Sequence, residues 1–127
     1  MLELEIIGGG PLDEDEVRRL CVRAAESAGV RDGHVAVEFV DARRISELNA
    51  RYRGRRGPTD VLSFPIDGAV PVDGERELGD VVICPEHTVD LREAIVHGVL
   101  HLLGMDHEND AGEMLALQRE LLAPGRD

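Results

Sequence analysis

Three histidines lie close together in the segment HGVLHLLGMDH, residues 97–107. His97 and His101 are four residues apart, so on a helix their imidazoles project from one face with Cβ atoms about 5–6 Å apart. Gly104 tolerates the left-handed backbone that ends a helix, so the chain can turn and bring His107 to the same point. Three neutral imidazoles that leave a fourth tetrahedral position open are typical of a catalytic zinc site. The segment therefore predicts one Zn²⁺ per chain, with Ni²⁺ or Mn²⁺ as alternatives.

Two other interpretations of this segment stay open. Any one of the histidines alone would be a hydrogen-bonded residue in or near the core. The spacing also occurs in metzincin proteases, which carry a glutamate base directly after the first histidine, whereas this chain has Gly98 there. Because glycine within a helix costs about 1 kcal/mol relative to alanine, we expect Gly98 to serve close approach on the metal-facing side.

An arginine cluster precedes the histidines. Residues 42–57 contain six arginines and one glutamate, although the formal net charge of the chain is −12. A planar guanidinium can donate two hydrogen bonds to one phosphate, and beside a metal it would stabilise charge developing on phosphorus. The negative total argues against a protein that coats duplex nucleic acid with its whole surface. A merely solvated face is an equal alternative for four of the six, namely Arg43, Arg44, Arg55 and Arg56.

Acidic and hydroxyl side chains lie near both segments. Asp106 adjoins His107 and is the carboxylate best placed to orient a ligand histidine or to contact water at the metal. Asp60 is expected to turn the chain or to support the site indirectly. Ser63 has no histidine or acid at a spacing that indicates a catalytic triad, so we do not expect it to be a nucleophile.

The hydrophobic pattern predicts the strands and the fold class. Residues 2–7 and 34–40 alternate as half-buried strands do, and shorter strands are expected at 61–64 and 79–84. Pro58 and Pro65 limit the third strand to an edge of the sheet. With the intervening helices, the order β-α-β-α-β-β-α-α predicts an α+β fold, with helices on a small mixed β-sheet of about four strands, in a single domain over residues 1–127.

Four helices complete the predicted fold. The first should start at a capping box of Asp13 and Glu16, the second at Asp41, and the third at Thr88. The third continues to residue 103 and is apolar nearly all round, as a buried helix is. The last covers about residues 109–122.

Length and composition limit the function classes. The chain has 127 residues, of which 43% are hydrophobic and 31% charged, enough for one globular core. Aromatic residues make up only 2%, so a base-reading aromatic platform is not expected. Two cysteines are too few for a disulfide framework, and no signal peptide or membrane-spanning run is recognised, which predicts a cytoplasmic protein.

Four stretches together resemble the YbeY family, the metal-dependent endoribonucleases of bacterial rRNA maturation. They are LNARYRG (48–54), PTDVLSFP (58–65), LGDVVICPE (78–86) and HGVLHLLGMDH (97–107). The resemblance implies an α+β fold with a zincin-like metal helix, zinc held by His97, His101 and His107, and a functionally important arginine at Arg53. It also implies cleavage of single-stranded RNA, with rRNA and the small ribosomal subunit as partners, in rRNA processing and ribosome quality control.

The chain departs from this family between residues 84 and 88. Family members usually carry an additional helix there, whereas CPEHT passes almost directly into the histidine helix. We therefore expect a shortened member in which either one side of the groove or the sheet is less covered. Two alternative functions stay open: a metal-dependent hydrolase of peptides or amides, and a non-catalytic ribosome assembly factor with a structural zinc.

Overall fold

The computed structural model describes residues 2–68, 74–106, 108 and 110–123, which form a four-stranded sheet between helices. Strands and helices alternate in the predicted order. Their bounds are β1 Leu2–Ile7, α1 Glu14–Ser27, β2 Gly33–Phe39, α2 Ala42–Arg53, β3 Val61–Pro65, β4 Glu77–Ile83, a 3₁₀ turn Pro85–His87, α3 Leu91–Leu102 and α4 Glu113–Leu122.

The sheet is mixed, as predicted, with the strand order β1-β2-β4-β3. β1 pairs with β2 and β2 with β4 in parallel, whereas β3 pairs with β4 antiparallel. β3 is an edge strand, in agreement with its flanking prolines. One of its two long sides is thus open to other groups.

Helices cover the two faces of the sheet unequally. α1, α3 and α4 pack on one face and form the main core, and α3 contributes buried side chains nearly all round, as its sequence predicts. α2 covers the other face only over β3 and β4. Its smaller core consists of Ile45, Leu48, Leu62, Val82 and Cys84. No helix in the described part of the chain is long and apolar enough to cross a bilayer.

The predicted capping box at the start of α1 is wrong. The Asp13 side chain makes no cap hydrogen bond, and Glu16 instead accepts from Arg92 Nε of α3 at 2.7 Å. This ion pair holds the pKa of the Glu16 carboxyl below its usual value. The long-range partner therefore displaces the local cap. At α2 the prediction is correct, because Asp41 accepts from the Arg44 backbone N–H at 2.8 Å.

The histidine helix α3 is capped by Asp90 rather than by Thr88. The Asp90 carboxylate accepts from the backbone N–H groups of Arg92 and Glu93 at 3.0 and 3.2 Å. The Thr88 hydroxyl instead donates to the Cys84 carbonyl at 2.6 Å. Thr88 thus closes the 3₁₀ turn that precedes the helix.

Candidate functional site

Gly98 lets the backbone of α3 approach the sheet closely. It is buried, and a Cβ atom there would lie 2.5 Å from Val81 Cγ1 on β4 and 3.4 Å from Ser63 Oγ on β3. The Ser63 hydroxyl donates to the Gly98 carbonyl at 3.0 Å. The expectation that Gly98 faces the metal is therefore wrong: it faces the sheet, because the space there admits no side chain.

His97 and His101 face each other across a short gap, as their spacing predicts. Their Nε2 atoms are 3.1 Å apart, and the ring planes cross at 79°. Each Nδ1 atom has an oxygen partner: Gln118 Oε1 at 2.8 Å for His97 and the Met105 carbonyl at 2.9 Å for His101. Because both oxygens accept, each Nδ1 carries the hydrogen in this assignment and each Nε2 keeps its lone pair. The two lone pairs point into the same space.

These histidines line a cleft of about 460 Å³ between α3 and the edge strand β3. It brings together side chains that are far apart in sequence and that include several predicted site residues. Among its lining residues are Arg53, Asp60, Ser63, His97, His101 and Asp106.

Arg53 reaches this cleft from the end of α2. Gly54 ends the helix in the left-handed conformation, with φ of 64°, which a glycine adopts without strain. The arginine cluster separates into residues that form ion pairs and residues that do not. Arg43 and Arg44 both pair with Glu47, at 3.5 and 3.4 Å. Within the described residues no ion pair is found for Arg53, so its guanidinium remains available to an anion in the cleft.

Comparisons with known proteins assign the fold and the family. The model of the family described as "Endoribonuclease YbeY" matches residues 12–125. The chain belongs to the YbeY family. A protein named Endoribonuclease YbeY from Rubrobacter xylanophilus is 42% identical over 124 residues, with 93% of this chain and 89% of the relative covered. The resemblance inferred from the four motifs is confirmed.

A solved structure is similar to this chain in its fold. The solution structure of a Thermotoga maritima protein has a TM-score of 0.55 and 28% identity to this chain, and the match covers 95% of this chain and 86% of the other. The predicted α+β fold is therefore confirmed.

This YbeY-family chain is shorter than some of its relatives. The relative from Salinispora tropica, also named Endoribonuclease YbeY, is 37% identical over 150 residues, and 98% of this chain and 96% of the relative are covered. Because that alignment is longer than the 127 residues of this chain, the relative contains residues without a counterpart here. In this chain, only the turn Pro85–His87 lies between β4 and α3, and a second cleft of about 320 Å³ opens beside it and shares His97 with the first.

Three of the oxygen-bearing side chains that line the cleft differ in role. Asp60 Oδ1 accepts from the Val61 backbone N–H at 2.8 Å, which fits the predicted turn. The Ser63 hydroxyl is used in its bond to Gly98, as expected for a residue that is not a nucleophile. Asp106 is half-buried and accepts from the Glu108 backbone N–H at 3.0 Å. Asp106 is thus held in a fixed orientation at the cleft wall.

The third predicted ligand, His107, lies outside the described residues. Among those that are described, no three His, Cys, Asp or Glu side chains are grouped closely enough to hold a metal ion. The three-histidine zinc site thus remains a prediction, of which the structure shows two members side by side.

Sequence reasoning missed Gln118, the partner of His97. Its side chain is only 6% exposed, and it follows Met114 and precedes Leu121 on the buried face of α4. A polar residue inside an apolar stripe is the signal that could have identified it, because a buried amide needs a hydrogen-bond partner.

His34 lies away from both clefts, whereas His87 lines the second cleft beside the 3₁₀ turn. His87 is exposed in the 3₁₀ turn. His34 lies on β2, where its Nδ1 contacts Glu77 Oε1 at 2.7 Å and its Nε2 lies 3.5 Å from Glu5 Oε1. The hydrogen bond to Glu77 raises the pKa of His34 above its usual value, against a smaller opposing effect of burial.

Proposed function

We propose that this protein is a zinc-dependent endoribonuclease that cleaves single-stranded RNA during rRNA maturation, in the cytoplasm and with the small ribosomal subunit as partner. Its relatives named Endoribonuclease YbeY support the RNA substrate. The observation that supports the chemistry is the placement of two facing histidines in one cleft with Arg53 and Asp106.

The donor set fits zinc. Zn–N bonds of about 2.0–2.1 Å place two nitrogens of a tetrahedral site about 3.3 Å apart, and the Nε2 atoms of His97 and His101 are 3.1 Å apart. Their hydrogen-bonded Nδ1 atoms are typical of metal-binding histidines, whose second nitrogen is held by an oxygen. In this proposal His107 is the third ligand, which leaves one position for water or substrate.

Arg53 and Asp106 have separate tasks in the proposed cleavage of a phosphodiester. The Arg53 guanidinium binds two oxygens of the scissile phosphate and stabilises the charge that develops there. The Asp106 carboxylate accepts a proton from the attacking water or 2′-hydroxyl group. A bound zinc ion would supply a Lewis acid and would lower the pKa of water to about 7.

The structure disfavours a metzincin-type peptide hydrolase. Such an enzyme needs a glutamate base directly after the first histidine. Gly98 occupies this position and faces Val81 of β4 instead of the cleft. No observation on the described residues favours peptide hydrolysis.

Metal analysis combined with a cleavage assay tests the proposal. Purified protein should contain about one zinc per chain and should cut single-stranded RNA faster than duplex RNA. A chelator should abolish the cleavage and zinc should restore it. His97→Ala should lose both zinc and cleavage, whereas His34→Gln, the matched control away from the cleft, should retain both.

Three results would contradict the proposal. Zinc-free protein that takes up no zinc at pH 7.5 would remove the basis of the mechanism. Cleavage of casein without cleavage of RNA would favour the peptide hydrolase. Tight binding to the small subunit without any cleavage, in zinc-loaded protein, would favour the assembly factor.

A further inference from the structure

Tyr52 is a largely exposed residue of α2. It shares one helical face with Ile45 and Leu48, which are both buried, yet 56% of Tyr52 is exposed. The reason is its position in the last turn of α2, where the helix passes the edge strand β3. There its ring contacts Phe64 edge to face, with centroids 5.3 Å apart.

This contact places Tyr52 on the face of β3 that is opposite to the cleft. Ser63 and Pro65 line the cleft, and Phe64 stands between them on β3. Because successive side chains of a strand point to opposite faces, Phe64 and the tyrosine ring lie on the other face of the same strand. Arg53, the next residue after Tyr52, lines the cleft itself. A polymer that leaves the cleft past Arg53 and the edge of β3 would therefore reach Tyr52.

The charged residues that flank Tyr52 in the sequence suit a nucleic acid. Arg53, Arg55 and Arg56 are exposed, and no ion pair is found for them among the described residues. The Arg51 guanidinium carbon lies 5.4 Å from the centroid of the Tyr52 ring. Guanidinium groups beside an exposed aromatic ring form the combination that binds single strands, because the cations hold phosphates while the ring stacks on a base.

We infer that Tyr52 is a stacking platform for a nucleobase of the bound RNA, next to the nucleotides held in the cleft. The inference rests on the proposed function and adds a residue that favours single strands, since the bases of a duplex are already stacked on one another. The scarcity of aromatic residues argues against an array of rings, but it leaves room for one ring at the point where the strand leaves the cleft.

Tyrosine fluorescence provides a direct test. Tyr52 is the only tyrosine and the chain has no tryptophan, so emission near 305 nm reports on this ring alone. The probes are a short 2′-O-methyl oligoadenylate, in which methylation blocks attack by the 2′-hydroxyl group, and an abasic oligonucleotide of equal length. After correction for absorption by the bases, the oligoadenylate should quench the emission and the abasic strand should not.

Variants separate stacking from electrostatic binding. Tyr52→Leu should lose affinity for the oligoadenylate about 5-fold or more and keep its affinity for the abasic strand, whereas Tyr52→Phe should keep both. Arg55→Gln, the control, should weaken binding of both strands equally, because it removes only a phosphate contact.

Two results would overturn the stacking platform. Wild type and Tyr52→Leu could bind the oligoadenylate equally well, or the two strands could quench the emission equally. The nuclease proposal would stay intact in either case if RNA is still cleaved. If the wild type neither binds nor cleaves RNA, both proposals fail together. Circular dichroism of Tyr52→Leu excludes misfolding as the cause of a lost affinity, and little unfolding is expected because the residue is exposed.

Discussion

Replacing Gly98 by alanine measures how closely the histidine helix must approach the sheet. Alanine is favoured over glycine within a helix by about 1 kcal/mol. The new Cβ atom, however, would lie 2.5 Å from Val81 Cγ1, well inside ordinary contact distance. Val81 is fully buried on the interior strand β4, so it has little room to move. Overpacking of this kind costs about 1–3 kcal/mol, and the gain in helix propensity offsets about 1 kcal/mol of it, so we expect a net loss of up to about 2 kcal/mol in the free energy of unfolding.

A double-mutant cycle with Val81→Ala isolates this contact. The assay is urea denaturation followed by far-ultraviolet circular dichroism. Val81→Ala alone should be destabilising, because it removes buried methyl groups. In that background the overlap disappears, so Gly98→Ala should become neutral or stabilising by up to about 1 kcal/mol. The expected coupling energy is about 2 kcal/mol, within the range measured for residues in contact.

Two results would refute this argument. Gly98→Ala could be more stable than the wild type by about 1 kcal/mol, which would show that the sheet yields at no cost. It could also keep wild-type stability and zinc content but lose cleavage, in which case Gly98 would serve substrate approach, as its sequence position suggested. Additive effects of the two substitutions would equally contradict a direct contact.

Three further predictions concern the cleft and the sheet. Gln118→Leu should weaken zinc binding about 10–100-fold in a chelator competition, because a ligand histidine loses the oxygen that orients it; unchanged affinity would contradict this. Arg53→Lys should slow single-turnover cleavage about 10-fold or more by removing the bidentate contact, whereas Arg43→Gln should not. Since Glu77 raises the pKa of His34 in the folded protein, this pair should stabilise the fold below about pH 6.5 and lose that effect as the pH rises through the folded pKa. His34→Gln should flatten this dependence in urea titrations across pH 5–8.

The fold could be predicted to the extent that it depends on local patterns. Alternation and proline positions are local, and they correctly indicated the strands, their number and the edge position of β3. The predicted caps of α1 and α3 are wrong because the groups concerned have other partners, one of them distant in sequence and one in the preceding turn. Glu16 pairs with Arg92, which is far along the chain, and Thr88 is taken by the carbonyl of Cys84.

The site shows the same division between local and tertiary information. Helix geometry alone places His97 and His101 together, and the structure agrees. The sequence could not show that Gly98 faces β4, since this depends on which side of α3 packs on the sheet. Nor could it show that Gln118 contacts His97, because this contact exists only where α4 docks against α3.

The docking of α4 also connects the stability of the fold to the chemistry of the cleft. The hydrogen bond from His97 Nδ1 to Gln118 keeps the Nε2 lone pair of His97 directed at His101. Gln118 is held by its buried position on α4, whereas the acceptor for His101 is the Met105 carbonyl, directly after α3. The two histidines are therefore oriented by different elements, one by a neighbouring helix and one by the helix's own C-terminal turn. A change that loosens α4 should misorient His97 first, so the placement of the two Nε2 atoms depends on a helix that contributes no described residue to the cleft lining.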